Sequence, residues 1–202
     1  MNDNTTPDPK PVIVYIENTP NPASMKFVLN GYLMENGEVE YHSKEMAVNC
    51  PLASQLFDFT GVKSIFITNN FVTVTKTEDL DWFEIQNILR EFIKGYIISG
   101  EPVFIGNPIN EVEKSEEARQ MAMNDPETVN KILEMLDEYI RPAVEGDGGA
   151  INLKSFENGI VTVQLKGSCS GCPSSTLTLK AGIENLLKRM VPGVTEVVAE
   201  SI

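Results

Sequence analysis

Two cysteines separated by two residues have the clearest chemical potential in this sequence. Cys169 and Cys172 stand in the segment GSCSGCP at positions 167–173. A thiolate is both a nucleophile and a soft metal ligand, so a CxxC pair can act as a redox dithiol or bind zinc or iron. The third cysteine is Cys50, and the single histidine is His42. The sequence therefore indicates thiol or metal chemistry at Cys169 and Cys172.

The cysteine pair lies between a predicted strand at 160–166 and a predicted helix at 173–190. The backbone N–H groups that begin a helix carry about half a positive charge, which lowers thiol pKa values and favours anionic metal-thiolate groups. Gly167 and Gly171 allow the chain to turn so that the two sulfurs converge. Because the neighbouring serines are small, we expect an exposed loop from which a bound metal group can be released.

A count of ligands suggests how such a group would be held. A 4Fe-4S cluster takes about four thiolates, and Cys169 and Cys172 provide half of that set. Cys50 falls in another predicted domain, where we expect it to pack as a small apolar residue, and we expect His42 to be an ordinary polar residue. The simplest solution is two chains related by a two-fold axis. We therefore predict a homodimer bridged by the cluster.

Other functions of a CxxC pair remain open from the residues alone. A thioredoxin-like dithiol oxidoreductase also carries its pair between a strand and a helix. Here a predicted β-hairpin precedes the pair, no tryptophan flanks it, and Pro173 follows it. Zinc would again need a second chain to complete four ligands, and two buried structural thiols fit poorly with serine and glycine neighbours.

The elements that position the pair predict an α+β fold with two small domains, each a mainly antiparallel sheet covered by helices. The predicted boundaries are 12–98 for the first domain, 99–126 for an acidic linker and 127–202 for the second domain. In the first domain, Asn69-Asn70 predicts a hairpin turn. Apolar residues at helical spacing predict an amphipathic helix. The predicted elements are strands at 12–17, 25–29, 64–67 and 71–74, and helices at 51–57 and 80–97.

The second domain has equally local signals. Asp125-Pro126 predicts a helix start, and we expect Val129, Ile132, Leu133, Leu136 and Ile140 on the buried side of that helix. Asn158-Gly159 predicts a hairpin between strands at 150–156 and 160–166. The helix at 173–190 and a last strand at 194–199 complete the predicted sheet.

The charge balance argues against two classes of partner. The chain has 29 acidic and 16 basic residues, a formal net charge of -13, which repels nucleic acid and anionic membrane surfaces. No apolar run approaches the ~20 residues of a membrane helix. Positions 1–11 lack an apolar signal segment or an Arg-rich presequence. We therefore expect a cytoplasmic protein that binds neither nucleic acid nor membrane.

The sequence also resembles a known family, the NifU-like or Nfu iron-sulfur cluster scaffolds. The first predicted domain is similar to the Nfu N-terminal domain, and the second is similar to the NifU C-terminal domain. The matching segments are TPNPASMKF (19–27), PLASQLF (51–57), GV (61–62), FVTVTK (71–76), RP (141–142), GDGG (146–149), GSCSGCPSSTLTLK (167–180) and VPGV (191–194).

This resemblance implies a function and a set of partners. It implies a protein that is not an enzyme and has no catalytic residue. Cys169 and Cys172 would bind a labile 4Fe-4S cluster of iron and inorganic sulfide. The chain would receive the cluster from upstream cluster-assembly proteins and deliver it to apo iron-sulfur proteins. The first domain has no evident ligand set, so its expected role is recognition of partners or support of the dimer.

Overall fold

The computed structural model describes residues 11–107, 125–170 and 173–201, apart from the side chains of 173–175 and 201. Most of the predicted linker, and Cys172 with it, lies outside these residues. The described residues form two α+β domains, each with a mainly antiparallel sheet covered by helices. The predicted fold class is confirmed.

The sheet of the N-terminal domain contains β1 (Val14–Asn18), β2 (Ser24–Leu29), β3 (Glu38–Tyr41), β4 (Val62–Thr68) and β5 (Phe71–Lys76). All neighbours are antiparallel, in the order β1-β2-β5-β4-β3. Asn69, at a φ of 36°, turns the predicted β4–β5 hairpin. The sequence analysis missed β3, because it is short and two of its four residues are glutamates, which are uncommon in strands.

Two helices cover one face of this sheet, α1 (Pro51–Leu56) and α2 (Trp82–Ser99). Asp81 caps α2 by accepting a hydrogen bond from the N–H of Phe83 at 2.9 Å. Gly100 ends it with a φ of 74°. Most of the predicted apolar stripe is buried in the N-terminal core, and Trp82 and Phe92 pack at its edge. The buried members are Ile85, Leu89, Ile93 and Tyr96.

The second face of the N-terminal sheet is also covered. In β2, Met25 and Phe27 belong to the N-terminal core, while Lys26 points to the opposite face and is still only 8% exposed. Thr73 of β5, 1% exposed, lies opposite Lys26 in the ladder. Alternate residues of a strand face opposite sides. The C-terminal domain covers this second face.

The C-terminal domain begins with a helical segment in three parts: α3 (Pro126–Met135), a π-helical turn (Leu136–Ile140) and α4 (Arg141–Gly146). The predicted cap is present, since Asp125 Oδ1 accepts a hydrogen bond from the N–H of Thr128 at 3.1 Å. Pro142 cannot donate to the carbonyl four residues earlier, which explains the widened turn before α4. The prediction for Leu133 is wrong: it is 36% exposed, because the buried side of α3 follows Val129, Ile132 and Met135.

The C-terminal sheet has the order β6-β7-β8, with β6 (Gly149–Glu157), β7 (Ile160–Gly167) and β8 (Glu196–Ser201). Asn158 and Gly159, with φ of 51° and 82°, make the predicted hairpin turn. Helix α5 (Pro173–Met190) connects β7 to β8, which pairs parallel with β7. Alternate residues of β7 face the core, since Val161, Val163 and Leu165 are all buried.

Two glycines of this domain should respond oppositely to alanine. A Cβ at Gly159 would lie 2.8 Å from the carbonyl oxygen of Gly193 and would occupy a positive φ. Gly159→Ala should therefore lower the free energy of unfolding by at least about 1–2 kcal/mol. Gly182 lies in α5, and nothing lies within 4 Å of the position that a Cβ would take there. Gly182→Ala should therefore raise stability by about 0.5–1 kcal/mol.

Urea unfolding followed by far-ultraviolet circular dichroism measures both changes. The fluorescence of Trp82, the single tryptophan, reports on the N-terminal domain and serves as the internal control. Equal effects of the two substitutions would contradict the turn geometry described above.

Candidate metal centre

Cys169 follows β7 by two residues, in the turn that leads toward α5. Gly167 makes that turn with a φ of 66°, as the sequence predicts. A Cβ there would lie 2.7 Å from the carbonyl oxygen of Gly148 and 3.0 Å from Cδ1 of Phe66. In the first turns of α5, the Thr176 hydroxyl donates to the carbonyl of Cys169 at 3.3 Å. The turn at Gly167 on the strand side and the Thr176 hydroxyl on the helix side thus position the backbone of Cys169.

The side chain of Cys169 is buried in this structure. It is 6% exposed, and a Cβ built on Gly149 would lie 2.9 Å from its Sγ, so only a glycine fits there. A cavity of about 40 Å³ adjoins the thiol. Its lining comes from both domains: Pro20, Asn21, Asp147, Ser168, Cys169 and Leu179.

The predicted exposure of the loop is therefore wrong for Cys169. Small neighbours do leave space, but Pro20 and Asn21 of the N-terminal domain lie over that space. Cys172 lies outside the described residues, and its convergence with Cys169 stays a prediction. Among residues 11–107, 125–170 and 173–201, no group of three or more His, Cys, Asp or Glu side chains could hold a metal ion.

The other two candidate residues are in the N-terminal domain. Cys50 is fully buried in its core, where burial raises the pKa of the thiol to about 11. Burial also lowers the pKa of His42, and its Nε2 is buried without a hydrogen-bond partner. These environments disfavour the charged forms of both side chains. The structure brings neither residue to Cys169, and Cys50 packs as the predicted small apolar residue.

Hydrogen bonds from the N-terminal domain reach the backbone on both sides of Cys169. The Asn21 side-chain amide donates to the carbonyl of Ser168 at 3.0 Å. The Thr73 hydroxyl donates to the carbonyl of Gly148 at 2.7 Å. Gly148 also accepts from the N–H of Ser168 at 3.2 Å. The segment 146–149 is therefore the point where the sheet of the N-terminal domain meets the Cys169 loop.

Lys26 makes a charged contact between the domains. Its Nζ donates to the carbonyls of Glu145 and Gly146 at 3.1 and 3.2 Å, at the end of α4. The carbonyls at a helix C-terminus attract cations. The same ammonium lies 3.3 Å from Glu17 Oε2 and 4.5 Å from the centre of the Phe71 ring. The charge of this nearly buried lysine is thus compensated by groups of both domains.

Two carboxylates of β3 contact the C-terminal domain close to this loop. Glu38 accepts from the side-chain amide of Asn152 and lies 3.4 Å from Lys166 Nζ. Glu40 Oε1 accepts from the N–H of Gly167 at 3.3 Å. Burial raises the pKa of Glu40 to about 7, although that N–H, Lys166 and Ser170 lower it. Glu40 therefore gains a proton readily near neutral pH while it stays in this contact.

Sequence reasoning gave no site role to Asn21, Lys26, Glu40 or Thr73. Lys26 and Thr73 alternate with core residues along strands, a pattern that indicates a solvent-facing side. Asn21 is in a turn-rich segment, where asparagine is common for local reasons, and its Oδ1 does accept from the N–H of Ala23 at 3.0 Å. A second domain on that face leaves no local sequence signal.

The parallel pairing of β8 weakens one argument against a redox dithiol. The predicted β6–β7 hairpin does precede the loop that carries Cys169, but the loop itself lies within a β7–α5–β8 unit. Topology thus does not decide between a dithiol and a metal ligand here.

Comparison with known proteins decides the family. Residues 14–100 match the family described as "Scaffold protein Nfu/NifU N terminal", and residues 132–198 match "NifU-like domain". "NFU1 iron-sulfur cluster scaffold homolog, mitochondrial" of Homo sapiens is 40% identical over 184 residues, which cover 91% of this chain and 70% of that protein. The chain belongs to the Nfu/NifU-like family of iron-sulfur cluster scaffolds. "NifU-like protein 4, mitochondrial" of Arabidopsis thaliana is 36% identical, over 94% of this chain and 66% of that protein.

A solved structure gives a partial overlap. The solution structure of a NifU-like protein from Saccharomyces cerevisiae superposes with a TM-score of 0.44 at 19% identity, over 53% of this chain and 96% of that chain. The fold class of the Nfu chain rests on its own strands and helices rather than on this overlap.

The expected cytoplasmic location is wrong. The human and Arabidopsis relatives are named as mitochondrial proteins. Location is set by targeting segments that need not form part of a folded domain, so the composition at positions 1–11 could not decide it. The human relative is named as a scaffold protein, which fits the expectation of a protein that is not an enzyme. No comparison supports the thioredoxin-like alternative.

Within the described part of the chain, no helix is long and apolar enough to span a bilayer.

Cys50 should be nearly inert in the folded Nfu chain. With its pKa near 11, its thiolate fraction at pH 8 is about 100-fold below that of an ordinary cysteine. In a folded chain with Cys169→Ser and Cys172→Ser, iodoacetamide should alkylate Cys50 at least about 100-fold more slowly than it does in the same chain unfolded in urea. Mass spectrometry measures the rate, and the same chain in urea is the control. A rapid reaction without urea would contradict the buried position of Cys50.

Glu40 should make stability depend on pH. Its pKa is raised from 4.5 to about 7 in the folded chain, so its contribution is fully present below 4.5 and is lost as the pH rises through 7. As the pH rises from 5 to 8, the free energy of unfolding of Glu40→Gln should therefore increase by about 1–3 kcal/mol relative to that of the parent chain. Thermal melts at both pH values test this, with the exposed Glu157→Gln as the matched control. Parallel pH profiles of parent and Glu40→Gln would contradict the assignment.

Proposed function

We propose that this Nfu chain carries a labile 4Fe-4S cluster as cargo, held by Cys169 and Cys172 of two protomers, and delivers it to apo iron-sulfur proteins. The observation that supports this most is the position of Cys169 between β7 and α5 in a chain of a scaffold family. The helix start favours thiolates and an anionic cluster. The described residues contain no further ligand group, which is why the proposal needs a second protomer.

Delivery is a ligand exchange in this proposal. An incoming target thiol forms an iron–sulfur bond as the bond from iron to Cys169 or Cys172 breaks. The proton released by the incoming thiol passes to the departing cysteine, so no oxidation or reduction is needed. The exchange repeats until the target holds the cluster. Upstream cluster-assembly proteins load the chain by the reverse exchange.

Anaerobic reconstitution with iron and sulfide tests the binding part. The loaded protein should be a dimer with about four irons, measured by iron analysis, Mössbauer spectra and molecular mass. Cys169→Ala and Cys172→Ala should each lose the cluster, whereas Cys50→Ala should retain it. A loaded monomer, or colour that persists without both cysteines, would disprove the proposal.

Two further assays separate the proposal from its alternatives. The loaded dimer should activate an apo iron-sulfur enzyme faster than free iron and sulfide do. The metal-free protein should not reduce insulin disulfides. Insulin reduction that depends on Cys169, without cluster binding, would favour the dithiol oxidoreductase instead.

A further inference from the structure

The contacts around Cys169 suggest a role for the N-terminal domain. We propose that this domain and the iron-sulfur cluster compete for the same face of the C-terminal domain, so that loading requires the two domains to separate. This inference rests on the proposed function, because it concerns what must move before a cluster and a second protomer can reach Cys169.

The space beside Cys169 is too small for a cluster while the domains are docked. The cavity beside Cys169 measures about 40 Å³, room for about three water-sized probes. A cubane of four irons and four sulfides does not fit there, and neither does the loop of a second protomer. Pro20 and Asn21 form the N-terminal side of this cavity. Removing that domain opens the side on which a cluster bound to Cys169 would lie.

The carboxyl groups of β3 also disfavour a cluster while the domains are docked. Glu40 brings a carboxyl group to the end of β7 that leads into the Cys169 loop, where it accepts from the N–H of Gly167, while Glu38 lies beside Lys166 of β7. A 4Fe-4S cluster with four thiolates is anionic, and like charges repel strongly where little water screens them. Glu40 also occupies a backbone donor of the loop that holds Cys169. Docking of the N-terminal domain and loading of the cluster are therefore opposed at this backbone donor, and by charge wherever Glu40 is ionised.

The composition of the contact between the domains permits them to separate. Its apolar part is small: Phe66, Phe71 and Ala150 form the buried cluster, with Val28 at its edge. The rest is polar, with the amide of Asn21, the hydroxyl of Thr73 and the ammonium of Lys26 each donating to a backbone carbonyl. Small polar interfaces between domains of one chain permit relative motion. Water can replace these donors when the domains part.

The first test measures Cys169 without any cluster. In a chain with Cys50→Ala and Cys172→Ser, alkylation of Cys169 should be at least tenfold faster when Lys26→Met is added. Lys26→Met removes the donor to Glu145 and Gly146. The control is Lys44→Met, whose lysine pairs with Asp58 within the N-terminal domain and is half exposed.

Thr73→Val provides a second, nearly isosteric change, in case Lys26→Met weakens the N-terminal domain itself. It removes the donor to Gly148 and should accelerate the alkylation of Cys169 in the same direction. Circular dichroism confirms that each variant is folded. If folded Lys26→Met and Thr73→Val react at the rate of Lys44→Met, the inference is wrong.

The second test compares the empty and the loaded protein. Glu38 Oε1 lies 3.4 Å from Lys166 Nζ, so a carbodiimide should join them by an amide bond when the domains are docked. Mass spectrometry of the full chain should find this crosslink in the metal-free protein and at least fivefold less of it in the reconstituted dimer. An unchanged yield in the loaded dimer would overturn the inference.

The outcomes distinguish this inference from the proposed function. Suppose that the cluster is reconstituted while Lys26→Met leaves the alkylation rate unchanged and loading leaves the crosslink yield unchanged. That result would contradict the proposed competition and would leave the proposed scaffold function standing. Failure of reconstitution in the parent and in Lys26→Met removes the proposed function, and the competition with it, whatever the alkylation rates. If Lys26→Met takes up the cluster faster than Lys44→Met does, both the scaffold function and the competition between domain and cluster are supported.

Discussion

The packing of the N-terminal sheet on the Cys169 loop determines most of what is distinctive in this structure. A sheet with helices on one face would leave Lys26 and Thr73 in water. Here both are nearly buried, and each donates to a carbonyl of the segment that precedes β6. A buried donor without a partner costs about 1–3 kcal/mol. The two domains therefore satisfy one another's polar groups at the same place where Cys169 lies.

The N-terminal domain covers the Cys169 thiol in this structure. In the proposed competition, this cover is the function of the N-terminal domain, and it lasts until the cargo and a second protomer arrive. A covered Cys169 is protected from oxidation and from stray metals, since reactivity requires access as well as thiolate character. The cost is a slower first step of loading, because the domains must part before the sulfur can bind iron.

The sequence predicted the local features well because their causes are local. Asp125 with Pro126 starts α3, and Asn158 with Gly159 turns the β6–β7 hairpin, each through the backbone angles or hydrogen bonds of neighbouring residues. It failed where the cause is distant. The cover over Cys169 comes from Asn21, separated from Ser168 by 147 positions. No pattern within one strand or loop can signal such a contact, and the same holds for the glutamates of β3.

The carbonyl oxygen of Gly148 has two lone pairs, and the structure uses both. One accepts from Thr73 of the N-terminal domain, and the other accepts from the backbone of Ser168 within the loop. When the domains part, water can replace the hydroxyl, while the bond from Ser168 stays inside its own domain. In the proposed competition, the backbone that leads to Cys169 therefore keeps its bend whether the domains are docked or apart, and the orientation of the sulfur does not depend on the Thr73 contact.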